Sequence, residues 1–197
     1  MAMGLLCTAF LFSSCEDFLA EKTYDFYNEQ DFYTNVTQLE QAVNGAYEVL
    51  SQKMTYGHFM LVNDCDTDIS HIKGSGIGHT ARDLGHYNIY PAHSWLEQAW
   101  GYYYTGIDRV NRIMANKDRV ELPNDAAKES FNRLIAEAKL LRAICYFDLV
   151  RMWGDVPLKL TASNKTENFA VTRTDKELVY DRIITDMEEA VKDLPWY

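Results

Sequence analysis

Apolar residues recur along four stretches of the chain at intervals of three and four, the period of a helix with one buried face. The first stretch follows Thr37, the second follows Ser94, the third runs from about Asp125 to Met152, and the fourth follows Thr174. The three hydroxyl residues each stand three positions before a glutamate, which is the capping-box pattern of a helix N-terminus. We therefore predict an all-α fold whose helices begin at these positions.

Each predicted helix carries one apolar stripe, which we expect to face the core. The stripes are Leu39, Ala42, Val43, Ala46, Tyr47 and Leu50; Leu96, Trp100, Tyr103, Ile107, Val110 and Met114; Phe131, Leu134, Ala138, Leu141, Cys145 and Leu149; and Val179, Ile183, Met187, Ala190 and Leu194. Arg142 interrupts the third stripe. Because a buried guanidinium needs partners, we expect it to make a structural ion pair or a carbonyl contact. Cys145 is expected to be a buried free thiol.

Two long connections separate the predicted helices, at 55–93 and at 153–173, and the first shows no sustained period over its 39 residues. Long irregular loops beside rigid helices are places where binding residues concentrate. Tyr87, Asn88 and Tyr90 lie near the end of the first loop, and Trp95 begins the next helix off its stripe. Aromatic rings stack on sugars and an amide bonds their hydroxyls, so these four residues are the candidate ligand-binding residues. Packing of the loop against protein is the alternative.

Residues 1–14 are uncharged and mostly apolar. This stretch is shorter than the roughly 20 residues that cross a bilayer, and its length is typical of the apolar part of a signal peptide. Phe12, Ser13 and Ser14 precede Cys15 in a pattern that resembles a lipobox. We expect a lipoprotein signal peptide at 1–14, lipid on the sulfur of Cys15, and a helical region over 15–197. A buried N-terminal helix is the alternative.

The net charge of −10 argues against a nucleic-acid partner, and equally against adhesion to anionic lipid headgroups. Forty-seven per cent of the residues are hydrophobic, which is a globular composition. Charge and composition thus leave a binding protein, a scaffold or an enzyme as the remaining classes.

Alternating aspartates at 64, 66 and 68 are similar to the start of a calcium loop, but Ile69 and Ser75 occupy the positions that require glycine and glutamate. The histidines at 71, 79, 86 and 93 lack the spacing of a zinc protease. We therefore expect no metal site, no cofactor and no catalytic residues. A metal-dependent hydrolase built on these aspartates and histidines remains a less favoured alternative.

Several blocks of this sequence, in their order and spacing, resemble one known family. The blocks are Cys15-Glu16-Asp17-Phe18-Leu19, Asn44-Gly45-Ala46-Tyr47, the set Trp100, Tyr103, Ile107 and Asn111, Glu137-Ala138-Lys139-Leu140-Leu141-Arg142-Ala143, Tyr146-Phe147, and Gly154-Asp155-Val156-Pro157-Leu158. The set resembles the SusD/RagB-like outer-membrane lipoproteins of Bacteroidetes over nearly all of residues 15–197.

The resemblance implies tetratricopeptide-like helix pairs with long irregular loops. It implies a protein anchored by lipid in the outer membrane and exposed at the cell surface, where it works with a SusC-like, TonB-dependent transporter. Its ligand would be an oligosaccharide or another nutrient, bound and handed over without catalysis. Members of the family are much longer than 197 residues, so we expect this chain to correspond to their N-terminal part. A helical protein-interaction scaffold remains an alternative.

Overall fold

The computed structural model describes residues 32–57, 67–70, 79–85, 88–163 and 171–196. Its helices are α1 (Val36–Tyr47), α2 (His79–Gly85), α3 (Ser94–Asn116), α4 (Asp125–Trp153) and α5 (Lys176–Ala190). Short turns at Glu48–Ser51 and Lys117–Arg119 continue α1 and α3, and a further turn spans Lys53–Gly57. Extended pairing in the described ranges is limited to two isolated bridges, Asn35 with Glu121 and Val156 with Thr174. The predicted all-α fold is confirmed.

The predicted starts of three helices were wrong by one or two residues. The residues that cap these helices are Asn35, His93 and Asp175, in place of Thr37, Ser94 and Thr174. In two of the three, the capping side chain is an Asn or Asp within two positions of the predicted Thr, and Asn and Asp cap at least as well as Ser and Thr.

The hydrogen bonds show how these caps work. The Asn35 carboxamide oxygen accepts from the Gln38 amide at 3.0 Å, and the Asp175 carboxylate accepts from the Glu177 amide at 2.8 Å. Thr174 has a different role, because its amide donates to the Val156 carbonyl at 3.0 Å. The start of α4 is as predicted at Asp125, where the Asn124 side chain accepts from the third helical amide.

The stretch at 55–93, predicted to be irregular, contains α2. Seven residues make only about two helical turns, too few for a sustained apolar period to show. One α2 residue, Leu84, is buried in the core. The correction is that this connection contributes a helix as well as loop.

Consecutive long helices run antiparallel: as the residue numbers of the contacts increase along one helix, those of their partners decrease along the next. The pairs are Gly45 with Arg109 and Val49 with Gly106 for α1 and α3; Gly106 with Cys145 and Asn111 with Arg142 for α3 and α4; and Lys139 with Glu189 and Arg142 with Asp186 for α4 and α5. The long helix α4 packs against α1, α3 and α5 and is the centre of the described fold.

The core follows the predicted stripes with a small rotation. On α3 the buried positions are Ala99, Tyr103, Gly106, Ile107, Val110, Asn111 and Ile113. Trp100, expected in the core, is only half-buried. On α5 Met187 is 47% exposed, while its neighbour Asp186 is fully buried. The buried face of α3 thus includes the small residues Ala99 and Gly106, and Gly106 lies against Cys145 of α4.

Gly106 allows this close approach. A Cβ at this position would lie 3.1 Å from the Cys145 sulfur and 3.2 Å from a Val49 methyl carbon. Cys145 is a buried free thiol, as predicted, and burial followed by the nearby Asp148 charge raises its pKa to about 12.

None of the helices in the described ranges is both long enough and apolar enough to cross a membrane.

Candidate functional site

Arg142 forms the centre of a buried polar network between α3, α4 and α5. Its Nε and Nη2 donate to the two carboxylate oxygens of Asp186, each at 2.8 Å, and its Nη1 donates to the Asn111 side-chain oxygen at 2.8 Å. Arg182 also donates to Asp186. Burial raises the pKa of Asp186, but the hydrogen bonds from both guanidinium groups outweigh burial and hold it below its usual value. The predicted structural role of Arg142 is confirmed.

The same network holds the segment 157–163, which we call the strap, against α3 and α4. The Asn111 Nδ2 donates to the carbonyls of Lys159 and Thr161, at 3.0 and 3.1 Å. The Tyr146 hydroxyl donates to the Lys159 carbonyl at 2.8 Å and accepts from the Lys159 amide at 2.7 Å. The strap backbone is therefore fixed in place by buried side chains.

Both ends of the strap are held by side chains of α3. At its start the Tyr104 hydroxyl donates to the Pro157 carbonyl at 2.8 Å. At its end the Ser163 amide donates to Asp108 at 2.7 Å, and Arg112 donates to the Ser163 carbonyl at 2.9 Å. Burial raises the pKa of the Asp108 carboxyl, but the bonds from Ser163 and Arg112 hold it below its usual value.

An open groove of about 530 Å³, which we call the aromatic groove, lies between the N-terminal half of α3, the loop before it and the end of α4. It is lined by Ile89, Tyr90, Pro91, Leu96, Glu97, Trp100 and Trp153. The Trp100 and Trp153 rings meet edge to face, with centroids 5.2 Å apart. Glu97 is the one charged lining residue among those described. This volume falls in the range of small-molecule sites, roughly 300–1,000 Å³.

His93 contacts both Tyr90, which lines the groove, and Thr80 of α2. The His93 amide donates to the Tyr90 carbonyl at 3.0 Å, and the two rings lie 5.3 Å apart. His93 is fully buried, with Nε2 3.1 Å from the Thr80 carbonyl of α2. The local turn thus positions Tyr90, which is 42% exposed, at the mouth of the groove.

The structure brings one of the four predicted ligand-binding residues to the groove. Tyr90 lines it, whereas the Asn88 side chain lies exposed and donates to Asp83 at 3.2 Å. Trp95 is half-buried and packs against the core, so the expectation that its ring is free was wrong. Position 87 lies outside the described residues.

Two tryptophans of the groove were not predicted as site residues. Trp100 was assigned to the core as part of an apolar stripe, and Trp153 was assigned to the connection that follows the third predicted helix. The signal for Trp153 was available, because Gly154 at positive φ (70°) ends α4 there and a helix end is commonly at the surface. For Trp100 the signal was the spacing of the small residues Ala99 and Gly106, seven positions apart on the buried face of α3.

A second depression, of about 450 Å³, lies between the C-terminal half of α3 and the strap; we call it the polar depression. It is lined by Gly101, Tyr104, Thr105, Ile107, Asp108, Arg109, Asn111, Arg112, Lys159, Thr161 and Ser163. The ring of Tyr104, which lines this depression, lies 4.9 Å from the ring of Trp100, which lines the aromatic groove. Nothing in the sequence identified it, because it forms only when the strap returns to α3.

The aspartates and histidines considered for a metal mostly lie outside the described residues, at 64, 66, 71 and 86. Asp68 is exposed, and His93 is buried against Thr80. Within the described ranges no three His, Cys, Asp or Glu side chains are grouped as metal ligands would be.

The fold and groove define a protein of antiparallel helix pairs that presents an aromatic surface site. Residues 17–196 match the profile of a SusD-like family described as starch-binding and associating with the outer membrane. This chain belongs to that family, and the resemblance in the sequence is confirmed. The tetratricopeptide-like helical fold is confirmed with it.

Individual relatives agree. A SusD-like protein of Formosa agariphila is 28% identical over 185 residues, which are 90% of this chain and 34% of that protein. A SusD homolog of Bacteroides thetaiotaomicron superposes with a TM-score of 0.76 at 28% identity, covering 85% of this chain and 32% of the other. A laminarin-binding SusD-like protein superposes with a TM-score of 0.70 at 28% identity, covering 83% and 35%. The chain therefore spans about one third of the length of these relatives.

Proposed function

We propose that this chain belongs to a nutrient-capture lipoprotein of the outer membrane that binds an oligosaccharide in the aromatic groove and does no chemistry on it. The observation that carries the proposal is the convergence of Tyr90, Trp100 and Trp153 on one open groove. The family description and the laminarin-binding relative support a carbohydrate as the ligand.

The groove has the chemistry that a sugar requires. Tyrosine and tryptophan side chains offer apolar ring area on which the C–H face of a pyranose stacks, together with polar edges. The Glu97 carboxylate at the groove can accept hydrogen bonds from sugar hydroxyls. Tyr87 and Asn88 remain predicted contributors from neighbouring positions, whereas Trp95 packs against the core and does not line the groove.

The test is isothermal titration of the protein with oligosaccharides of starch and of laminarin. Tyr90→Ala should lower the affinity by about thirtyfold, the scale of an aromatic hot spot of about 2 kcal/mol. Tyr47→Ala is the matched control, because Tyr47 is 39% exposed against 42% for Tyr90 and lies on α1 away from the groove. If Tyr90→Ala bound as tightly as Tyr47→Ala and the wild type, the aromatic groove would not be the binding site.

The proposal includes a lipid anchor at Cys15. The uncharged apolar stretch at 1–14 and the lipobox-like residues before Cys15 support it. After expression in a Bacteroidetes host, the intact mass should show a mature chain that begins at Cys15 and carries acyl groups. A Cys15→Ala variant that still fractionates with the membrane would contradict this part of the proposal.

The proposed partner is a SusC-like, TonB-dependent transporter, to which the bound nutrient is passed. Membership of a family described as associating with the outer membrane supports it. Gentle detergent extraction from the native host should recover the transporter with the protein. Recovery of the protein alone under conditions that keep other outer-membrane complexes intact would count against the partnership.

A helical protein-interaction scaffold is the second candidate function. It is favoured by an exposed apolar stripe on α5, where Ile184, Met187 and Val191 are each 42–52% exposed. Such stripes mark contact surfaces for other protein elements. If the protein bound none of the oligosaccharides but Met187→Glu abolished recovery of a protein partner, the scaffold would replace carbohydrate capture.

A further inference from the structure

The polar depression has a cation, Lys159, that makes no ion pair within the described residues. Arg109 pairs with Glu48 at 2.7 Å, and Arg112 pairs with Asp108 at 2.9 Å. The Lys159 ammonium makes no ion pair with any residue of the described ranges. Its charge is therefore available to a ligand.

The backbone that carries this ammonium is held in place. The Lys159 backbone amide and carbonyl are both bonded by the Tyr146 hydroxyl, and the carbonyl also accepts from Asn111. With the backbone fixed, the Lys159 Nζ lies 5.9 Å from the centroid of the Tyr104 ring. Preorganised charge of this kind costs little further ordering when a ligand binds.

The local charge is opposite to that of the whole protein. The chain carries a net charge of −10, yet among the described residues around the polar depression three cations, Lys159, Arg109 and Arg112, accompany two carboxylates, Asp108 and Glu48. A local surplus of positive charge attracts an anionic group that the rest of the surface repels.

The depression also lies beside the aromatic groove on the same helix, α3. The Trp100 and Tyr104 rings, one turn apart on α3, have centroids 4.9 Å from each other. From Glu97 in the groove to Asp108 in the depression, the helix rises roughly 16 Å, which is the span of several sugar units. A chain stacked on Trp100 thus passes over Tyr104 towards Lys159.

We infer that the polar depression is a subsite for an acidic sugar unit, whose carboxylate or sulfate pairs with the Lys159 ammonium while the neighbouring unit stacks in the aromatic groove. This inference rests on the proposed function and adds the charge class of the ligand. The ion pair forms at the edge of a fixed strap, so it selects acidic chains without rearrangement of the fold.

The test uses pairs of ligands that differ only in charge. Neutral oligosaccharides of several linkages are each titrated before and after oxidation of their primary hydroxyls to carboxylates. The protein should bind the oxidised member of at least one pair about tenfold more tightly at low salt, the scale of one charge-assisted hydrogen bond. Added salt should reduce the preference, because the attraction is ionic.

Variants assign the preference to one side chain. Lys159→Gln should abolish the preference for the oxidised member over the neutral member, whereas Lys159→Arg should retain the preference. Lys176→Gln, at an exposed lysine on α5, is the matched control and should behave as wild type. Tyr90→Ala should weaken both members of each pair equally.

The outcomes separate the two proposals. Binding of neutral and oxidised members with equal affinity overturns the acidic subsite and leaves carbohydrate capture in place. A preference that survives Lys159→Gln also overturns it, because another cation would then hold the anion. Binding of no member of any pair overturns both proposals.

Discussion

The two halves of α3 differ in which side chains they bury and which they leave open to solvent. In the C-terminal half, Asn111 is 2% exposed, and its side chain is fully engaged by Arg142 and the strap. In the N-terminal half, Trp100 remains partly open to solvent, with a neighbouring edge-to-face tryptophan. One half buries polar groups in a satisfied network, and the other half leaves aromatic rings in an open groove.

This difference separates the residues that stabilise the fold from the residues that can contact a ligand. Polar groups that are buried and fully hydrogen-bonded specify one arrangement of helices, since any loss leaves an unpaired partner. Aromatic rings at a surface groove contribute less to the fold and more to contact with a flat ligand. We expect substitutions in the first half to change stability and substitutions in the second half to change affinity.

The largest expected effect is at Asp186. Asp186→Ala leaves the Arg142 guanidinium buried without its carboxylate, and should lower the free energy of unfolding by about 3–5 kcal/mol. Urea denaturation measures the loss. A loss below about 1 kcal/mol would show that water replaces the carboxylate and that this half of α3 is not fixed by the network.

The same carboxylate predicts a pH dependence. Because the folded state holds the pKa of Asp186 below its unfolded value of about 3.9, its stabilisation is present above that value and is lost as pH falls through the folded pKa. The stability difference between wild type and Asp186→Asn should be constant near neutrality and shrink below about pH 4. A difference independent of pH would contradict the ionic pairing.

Asn111 gives the next largest effect. Asn111→Ala removes the partner of Arg142 Nη1 and of two strap carbonyls, and should cost about 1–3 kcal/mol. Amide hydrogen exchange at Lys159 should accelerate as the strap loosens. Unchanged exchange would show that the Tyr146 hydroxyl is sufficient to fix the Lys159 backbone, and that Asn111 is less coupled to the strap than its hydrogen bonds indicate.

The smallest effect is expected at the exposed pair on the outside of α4 and α5. Lys139 and Glu189 lie 2.9 Å apart, with side chains 22% and 41% exposed. Glu189→Gln should change the free energy of unfolding by about 0–1 kcal/mol, because solvent screens such pairs. A loss comparable with that of Asp186→Ala would erase the distinction between buried and exposed polar contacts in this fold.

Periodicity was sufficient for the helices but not for their exact faces. It predicted four long helices and the buried Arg142, because a charge inside an apolar stripe has few alternatives. It did not reveal that Asp186 is the partner, 44 positions away, or that Met187 points outwards. The buried face of α3 includes the small residues Ala99 and Gly106, which the predicted stripe left out. A prediction from hydrophobicity alone gives small residues little weight.

The site was less predictable than the fold. Tyr90, predicted as a ligand-binding residue, lines the groove, and loop aromatics beside a helix start are local in sequence. Trp153 meets Trp100 only through the packing of α4 on α3, across more than 50 residues. The charge of Lys159 reaches α3 only because the strap returns to it. Local sequence patterns contain no information on such convergence.

The central claim is that the aromatic groove, rather than the core-packed side of the same helix, is where a carbohydrate binds. Trp100 and Trp95 offer the most direct comparison, since both are half-buried tryptophans of α3 and only Trp100 lines the groove. Both variants, Trp100→Ala and Trp95→Ala, are titrated with the oligosaccharide that the wild type binds best. The temperature is kept below the melting temperature of both variants, and the affinities are compared. We predict that Trp100→Ala loses about thirtyfold in affinity while Trp95→Ala stays near wild type. Retained affinity in folded Trp100→Ala, with loss in folded Trp95→Ala, would contradict the groove as the site.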